Sequence, residues 1–245
     1  MTLLEAFQAL PSQPDADELA SALLVNQALK PELDVEMVRA EVMALAPDAG
    51  VPVWEHLAAL GFRGDDSSYH SLDNSCISEV LLRRRGIPIT LSVLLLSIAR
   101  SQGLPALGLN APGHFLSQIG EHVIDPFSMQ VMQIDGVIEP AGPVEVAVRM
   151  LNNVKHNLVA TGETARALDM LDYQLAMLDG HSAAQNVAML LLEKGEYWRT
   201  LGANDLAVEA YLAAAERAGA GSEIATVCQA RVERLAGASP NQTFH

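Results

Sequence analysis

Cysteine is scarce: Cys76 and Cys228 are the two in 245 residues. So few, so far apart, make neither a disulfide framework nor a cysteine-rich zinc site, and they predict reduced thiols in a cytoplasmic chain. Positive charge is scarce too. Fifteen Lys and Arg face thirty Asp and Glu, for a formal net charge of -15. That imbalance excludes a general affinity for phosphate backbones, so neither nucleic acid nor an anionic membrane is expected as a partner. The start, "MTLLEAFQALPSQPDADE", lacks the basic and long apolar regions of a secretion signal. The densest apolar stretch, "ITLSVLLLSIA", is too short to span a bilayer and reads as a buried helix. The one dense basic spot, "RRR" at 83–85, is expected in the last turn of a helix, where cations complement the dipole.

What is present suits a folded globular protein of one large or two smaller domains: half of the residues are hydrophobic and 18% are charged. Residues 1–62 read as helices. "PDADELASALLVNQAL" has acidic residues in its first turn and stops at Pro31, "LDVEMVRAEVMALA" repeats the pattern, and "VPVWEHLAALGF" ends at Gly61. The polar segment "RGDDSSYHSLDNS" is a loop leading to a helix over 76–85, with Asp73, Asn74 or Ser75 as its cap and Glu79 completing a capping box. A second helix, about 89 to 101, is apolar nearly all round and should be buried on every side. The period then changes. "ALGLNA", "HFLSQI" and "HVIDP" read as strands, and "VMQIDGVI" as a further hairpin around Asp135-Gly136. From 143 onward the chain is helical again.

The expected architecture is therefore α+β and mostly helical, a buried helix packed on a small antiparallel sheet, with domains at 1–142 and 143–245. The second part carries a weak internal repeat. Gly162, Ala167 and Leu171 recur as Gly202, Ala207 and Tyr211, and Leu191, Gly195, Trp198 and Ala214 extend the pattern. Small residues at such spacing let two helices approach closely, as in tetratricopeptide hairpins, although the 40-residue offset exceeds the usual repeat of about 34.

Chemistry, if present, centres on "NAPGHFLSQIGEHVIDPF", residues 110 to 127. With Gly120-Glu121 as a two-residue hairpin loop, Ile119 pairs with His122, Ser117 with Ile124 and Leu116 with Asp125. His114 and Asp125 then share a face as diagonal neighbours, the base-plus-orienter half of a nucleophilic triad. The plainer reading makes His114 a satisfied, half-buried histidine and Asp125 the start of a turn with Pro126.

"NSCISEVLLRRRGIPITLSVLLLSIARSQGLPALGLNAPGHFL…IDPF" resembles the bacterial SirB-type branch of the transglutaminase-like superfamily, which commonly carries a tetratricopeptide region after the core. The resemblance runs from about Phe62 to Phe127. It implies a papain-like core in which a cysteine opens a buried helix, with His and Asp on neighbouring strands. Matching Arg100 and Gly103 to the end of that helix motif sets Gly86 to Ser92 against its start. His114 and Asp125 then take the family's positions, and Pro88 stands where the cysteine is expected. Proline has no nucleophile but suits a helix's first turn. Tyr69 and Asn74 match the family's loop pattern, whereas "DPFSMQ" departs from the glycine pair that follows the phenylalanine in relatives.

Substitute nucleophiles are few. Cys76, at a helix N-terminus, is placed for a stabilised thiolate or is a small core residue. Thr90 and Ser92 lie within a turn of Pro88, either near His114 or bonded back to the preceding turn. Cys228 belongs to the apolar stripe of the last helix. Asp65, Asp66, His70 and Asp73 match no metal-site spacing, and neither metal nor cofactor is expected. Two functional readings follow. One is a pseudoenzyme scaffold that binds a protein or peptide partner, with Tyr69, Asn74, Trp198 and Tyr211 as candidate groove residues. The other is an acyl transferase or peptidase using Cys76, His114 and Asp125.

Overall fold

A computed structural model describes residues 1–111, 113–134 and 136–237. The chain forms two compact units. The first runs from Met1 to Asn157 and the second begins at Leu158.

In the first unit, α1 (Leu3–Ala9), α2 (Glu18–Leu29), α3 (Val35–Met43) and α4 (Val53–Ala59) follow one another as the acidic first turns and breaker residues predict. Asp17 and Asp34 cap α2 and α3 through their side chains, and Gly61, at φ 92°, turns the chain after α4. A two-residue strand, β1 (Arg63–Gly64), precedes α5 (Ile77–Arg83) and pairs in parallel with β2 (Arg85–Gly86). α6 (Pro88–Ser101) is the apolar helix, and Leu91, Val93, Leu94, Leu95, Leu96, Ile98 and Ala99 are all inaccessible to solvent. Helices α2 to α5 pack on it together with β3 (Ala106–Ala111) and β4 (His114–Ile119). The result is the expected α+β architecture. Burial of this kind contributes on the order of 25 cal/mol per Å² of apolar surface, and α6 is covered on every side.

The sheet is antiparallel throughout, in the order β6 (Gln130–Met132), β5 (His122–Asp125), β4, β3, β7 (Pro140–Ala141). β6 and β7 stand at opposite edges, so "VMQIDGVI" does not fold back on itself as a hairpin. The chain crosses from one edge of the sheet to the other, and Asp135 of that expected turn lies outside the described residues.

α7 (Pro143–Ala160) belongs to the first unit as far as Asn157, whereas the return of helical periodicity grouped it with the tail. Its Arg149 explains the difference, because it bonds to residues of β3 and β4. The second unit holds α8 (Thr164–Leu178), α9 (Ala184–Thr200), α10 (Asn204–Ala218) and α11 (Glu223–Gly237), each packed on the next in sequence. Gly195 of α9 lies against the Tyr211 ring of α10, where any Cβ would overlap it. Ala188, Ala207, Ala214 and Cys228 fill the core around that ring, and Trp198 packs on it half-buried. No described helix is long and apolar enough to cross a membrane.

Candidate functional site

Pro88 occupies the first turn of α6 after an extended Ile87, where its missing N–H leaves nothing unpaired. Thr90, two residues on, is fully buried. Its hydroxyl donates to the Asn74 carbonyl at 2.7 Å and the Ile87 carbonyl at 3.0 Å, the back-bonding expected of a hydroxyl in an apolar helix. Ser92 instead pairs with Ser117 of β4, oxygen to oxygen at 2.7 Å. Both hydroxyls are spent on holding α6 in place.

The hairpin has the register anticipated from its loop: Ser117 pairs with Ile124, Gln118 with Val123 and Ile119 with His122, around a Gly120 at φ 58°. Alternation sets Phe115, Ser117 and Ile119 on the face that meets α6. His114 and Leu116 point the other way, and Asp125 follows them. His114 and Asp125 thus share a face, but not the one that the start of α6 covers. The Asp125 carboxylate accepts the Phe127 N–H at 3.0 Å and the Ser128 hydroxyl at 2.6 Å, so it closes the turn after β5. His114 is exposed and makes no side-chain hydrogen bond with a described residue.

Cys76 is 1% exposed, and its Sγ lies 3.3 Å from the Ser78 Oγ, with no hydrogen bond to His114. It is the N-cap residue of α5, yet its side chain does not cap that helix. Nor do Asp73, Asn74 and Ser75, which form a short 3-10 turn capped by Ser71. The cap comes from α2: Asn26 Oδ1 accepts the Ile77 N–H at 2.6 Å, and Asn26 Nδ2 donates to the Ser75 carbonyl at 2.7 Å. Glu79 pairs with Lys30, the residue that ends α2, instead of completing a capping box.

The loop before α5 is a clasp. Asp65, buried, accepts from the Ser67 hydroxyl at 2.9 Å and the Ser68 N–H at 3.0 Å, with Arg83 at 3.5 Å. Burial alone raises the Asp65 carboxyl. The Ser68 N–H, Ser67, Asn74 and Arg83 outweigh it and hold the group below the usual carboxylate range. Asn74 accepts from Arg83 at 2.9 Å and donates to the Ser68 carbonyl at 2.7 Å. The "RRR" run is therefore divided: Arg83 holds this clasp, Arg84 adopts a left-handed cap at φ 56°, and Arg85 enters β2. Arg84 and Arg85 donate to the Leu60 and Gly61 carbonyls.

Of the four groove candidates, Asn74 and Tyr211 are fully buried and shape the interior. Trp198 is half-buried. Tyr69 is 44% exposed, its ring 6.3 Å from Phe127. Among the described residues no cluster of His, Cys, Asp or Glu could hold a metal ion. Sequence reasoning passed over Arg149. Its guanidinium stands 5.5 Å above the Phe115 ring and donates to Asn110 and, at 3.3 Å, to the His114 carbonyl.

Residues 35–161 match the model of the transglutaminase-like superfamily. A UPF0162 protein of Xylella fastidiosa is 34% identical over 128 residues, 45% of this chain and 46% of that one. One from Vibrio cholerae is 33% identical over 138 residues, 48% of this chain and 51% of the relative. The chain thus spans about half the length of these curated relatives. Human F-box only protein 21 shares 46% identity over 57 residues, 23% of this chain and 9% of that protein. No solved structure matches. With its buried helix, its antiparallel sheet and a family match over more than half its length, the chain belongs to the transglutaminase-like superfamily.

Proposed function

We propose that this protein is a non-catalytic interaction module of the SirB-type branch, working in the cytoplasm on a protein or peptide partner. Its transglutaminase-like domain retains the fold without the chemistry, and helices α8 to α11 serve as tetratricopeptide-like hairpins. The observation that carries the reading is Pro88 at the start of α6, where the superfamily resemblance sets the nucleophile. Acyl transfer needs a nucleophile within hydrogen-bond reach of its base, about 2.6–3.2 Å and looser in a free enzyme. Here the Cys76 thiol is buried beside Ser78, and Asp125 is engaged by Phe127 and Ser128. The Gly195–Tyr211 approach supports helical hairpins of the tetratricopeptide kind, which bind peptides along a concave face.

The test is intact-mass analysis after exposure to p-nitrophenyl acetate. The expected result is no acetyl adduct on Cys76, with equal ester turnover for the wild type, Cys76→Ser and His114→Ala. An adduct at Cys76 that forms only when His114 is present overturns the reading in favour of a Cys76-His114-Asp125 enzyme.

A further inference from the structure

Arg149 is a cation held in place without being neutralised. Its Nη1 donates to the Asn110 side chain at the end of β3 and to the His114 carbonyl, while the guanidinium lies over the Phe115 ring. These contacts fix the plane of the group and leave its Nε and Nη2 edge free of any described partner. No carboxylate of the described residues pairs with it, in a chain where acidic residues outnumber basic ones two to one. The contrast with Arg100 is direct. That guanidinium, also part-buried, meets both oxygens of the buried Glu18 and donates to the Ala106 carbonyl. Burial pulls Arg149 below the ordinary arginine value. A fixed, under-solvated guanidinium with a free two-donor edge matches the planar fork of a carboxylate.

We infer that the free edge of Arg149 is a subsite for a carboxylate of the bound partner. The inference rests on the binding reading above and names what that reading leaves open. The carboxylate comes from a peptide C-terminus or from an acidic side chain, and both offer the same two oxygens.

The experiment is a titration of the full chain, labelled with nitrogen-15, read at the Arg149 Nε–H and at the His114 and Phe115 amides. The probes are N-acetylglycine for a chain end, N-acetylglutamic acid α-amide for a side chain, N-acetylglycinamide as the uncharged control, and inorganic phosphate. At least one of the carboxylate probes should give saturable shifts with Kd of millimolar order, about 1 mM to tens of millimolar. The tighter of the two identifies the source. N-acetylglycinamide should give none, and this control requires no variant. In Arg149→Lys, which keeps the charge but loses the fork, carboxylate binding should weaken by about tenfold. Equal shifts with N-acetylglycinamide, tighter binding of phosphate, unchanged affinity in Arg149→Lys, or no shift from either carboxylate would each overturn the subsite. Failure of the subsite with Cys76 unacylated leaves the binding module standing, whereas acylation of Cys76 removes that reading whatever Arg149 binds.

Discussion

Asn26 is fully buried in α2, and both ends of its amide are used at the start of α5. Removing it strands the Ile77 N–H and the Ser75 carbonyl away from water, and each stranded group costs roughly 1–3 kcal/mol. Asn26→Ala should therefore destabilise the protein by about 3 kcal/mol in urea unfolding. Ser71→Ala, which removes an exposed cap from the Asp73 N–H, should cost about 1 kcal/mol or less. Asp65 makes a prediction in pH. Its carboxyl is held low in the folded protein, so the ionised form stabilises the fold above the ordinary value of about 3.9, and this contribution is lost as pH falls through the lower folded value. Thermal unfolding followed from about pH 5 to pH 3 should show a steeper loss of stability for the wild type than for Asp65→Asn.

At the scale of elements, the approach of α9 to α10 depends on the absence of a side chain at Gly195. The Tyr211 ring is enclosed and cannot swing aside. Gly195→Ala should therefore destabilise by about 2 kcal/mol despite its better helix propensity, and Tyr211→Leu in the same chain should recover part of the loss. Calorimetry of the single and double variants checks both. Gly64 is comparable, since a Cβ there would overlap the Phe127 ring, where the chain leaves β5. These close approaches explain why two glycines outside turns matter more to packing than several at turns, whose added Cβ would meet open space.

For the whole molecule, the dominant quantity is the charge of -15. Like charges spread over one chain repel, and salt screens them over about 10 Å at 0.1 M. Raising sodium chloride from about 10 mM to about 0.3 M should raise the thermal midpoint of the protein, as read by calorimetry. Duplex DNA should not be retarded by it in a gel-shift assay at physiological salt. A shift of DNA at that salt would locate a basic surface that the charge count hides.

Local chemistry was legible in the sequence wherever neighbours along the chain decide the outcome. Capping residues and breakers located α2 to α4, all-round hydrophobicity marked α6 as buried, and the loop residues Gly120-Glu121 dictated the β4–β5 register. The resemblance located Pro88 and, with the register, put His114 and Asp125 on one face. Contacts between distant segments were not legible, because nothing in a local window encodes which partner arrives. The cap on α5 comes from Asn26, far back in the sequence, and β1 meets β2 in a bridge of two residues. β6 and β7 part to opposite edges although their sequence reads as a hairpin. The environments of Cys76, Asp125 and Arg149 belong to the same class. Sequence determined which groups exist and on which elements they stand; burial, pairing and the direction each group faces were decided by tertiary packing, where one arrangement must satisfy every buried polar group at once.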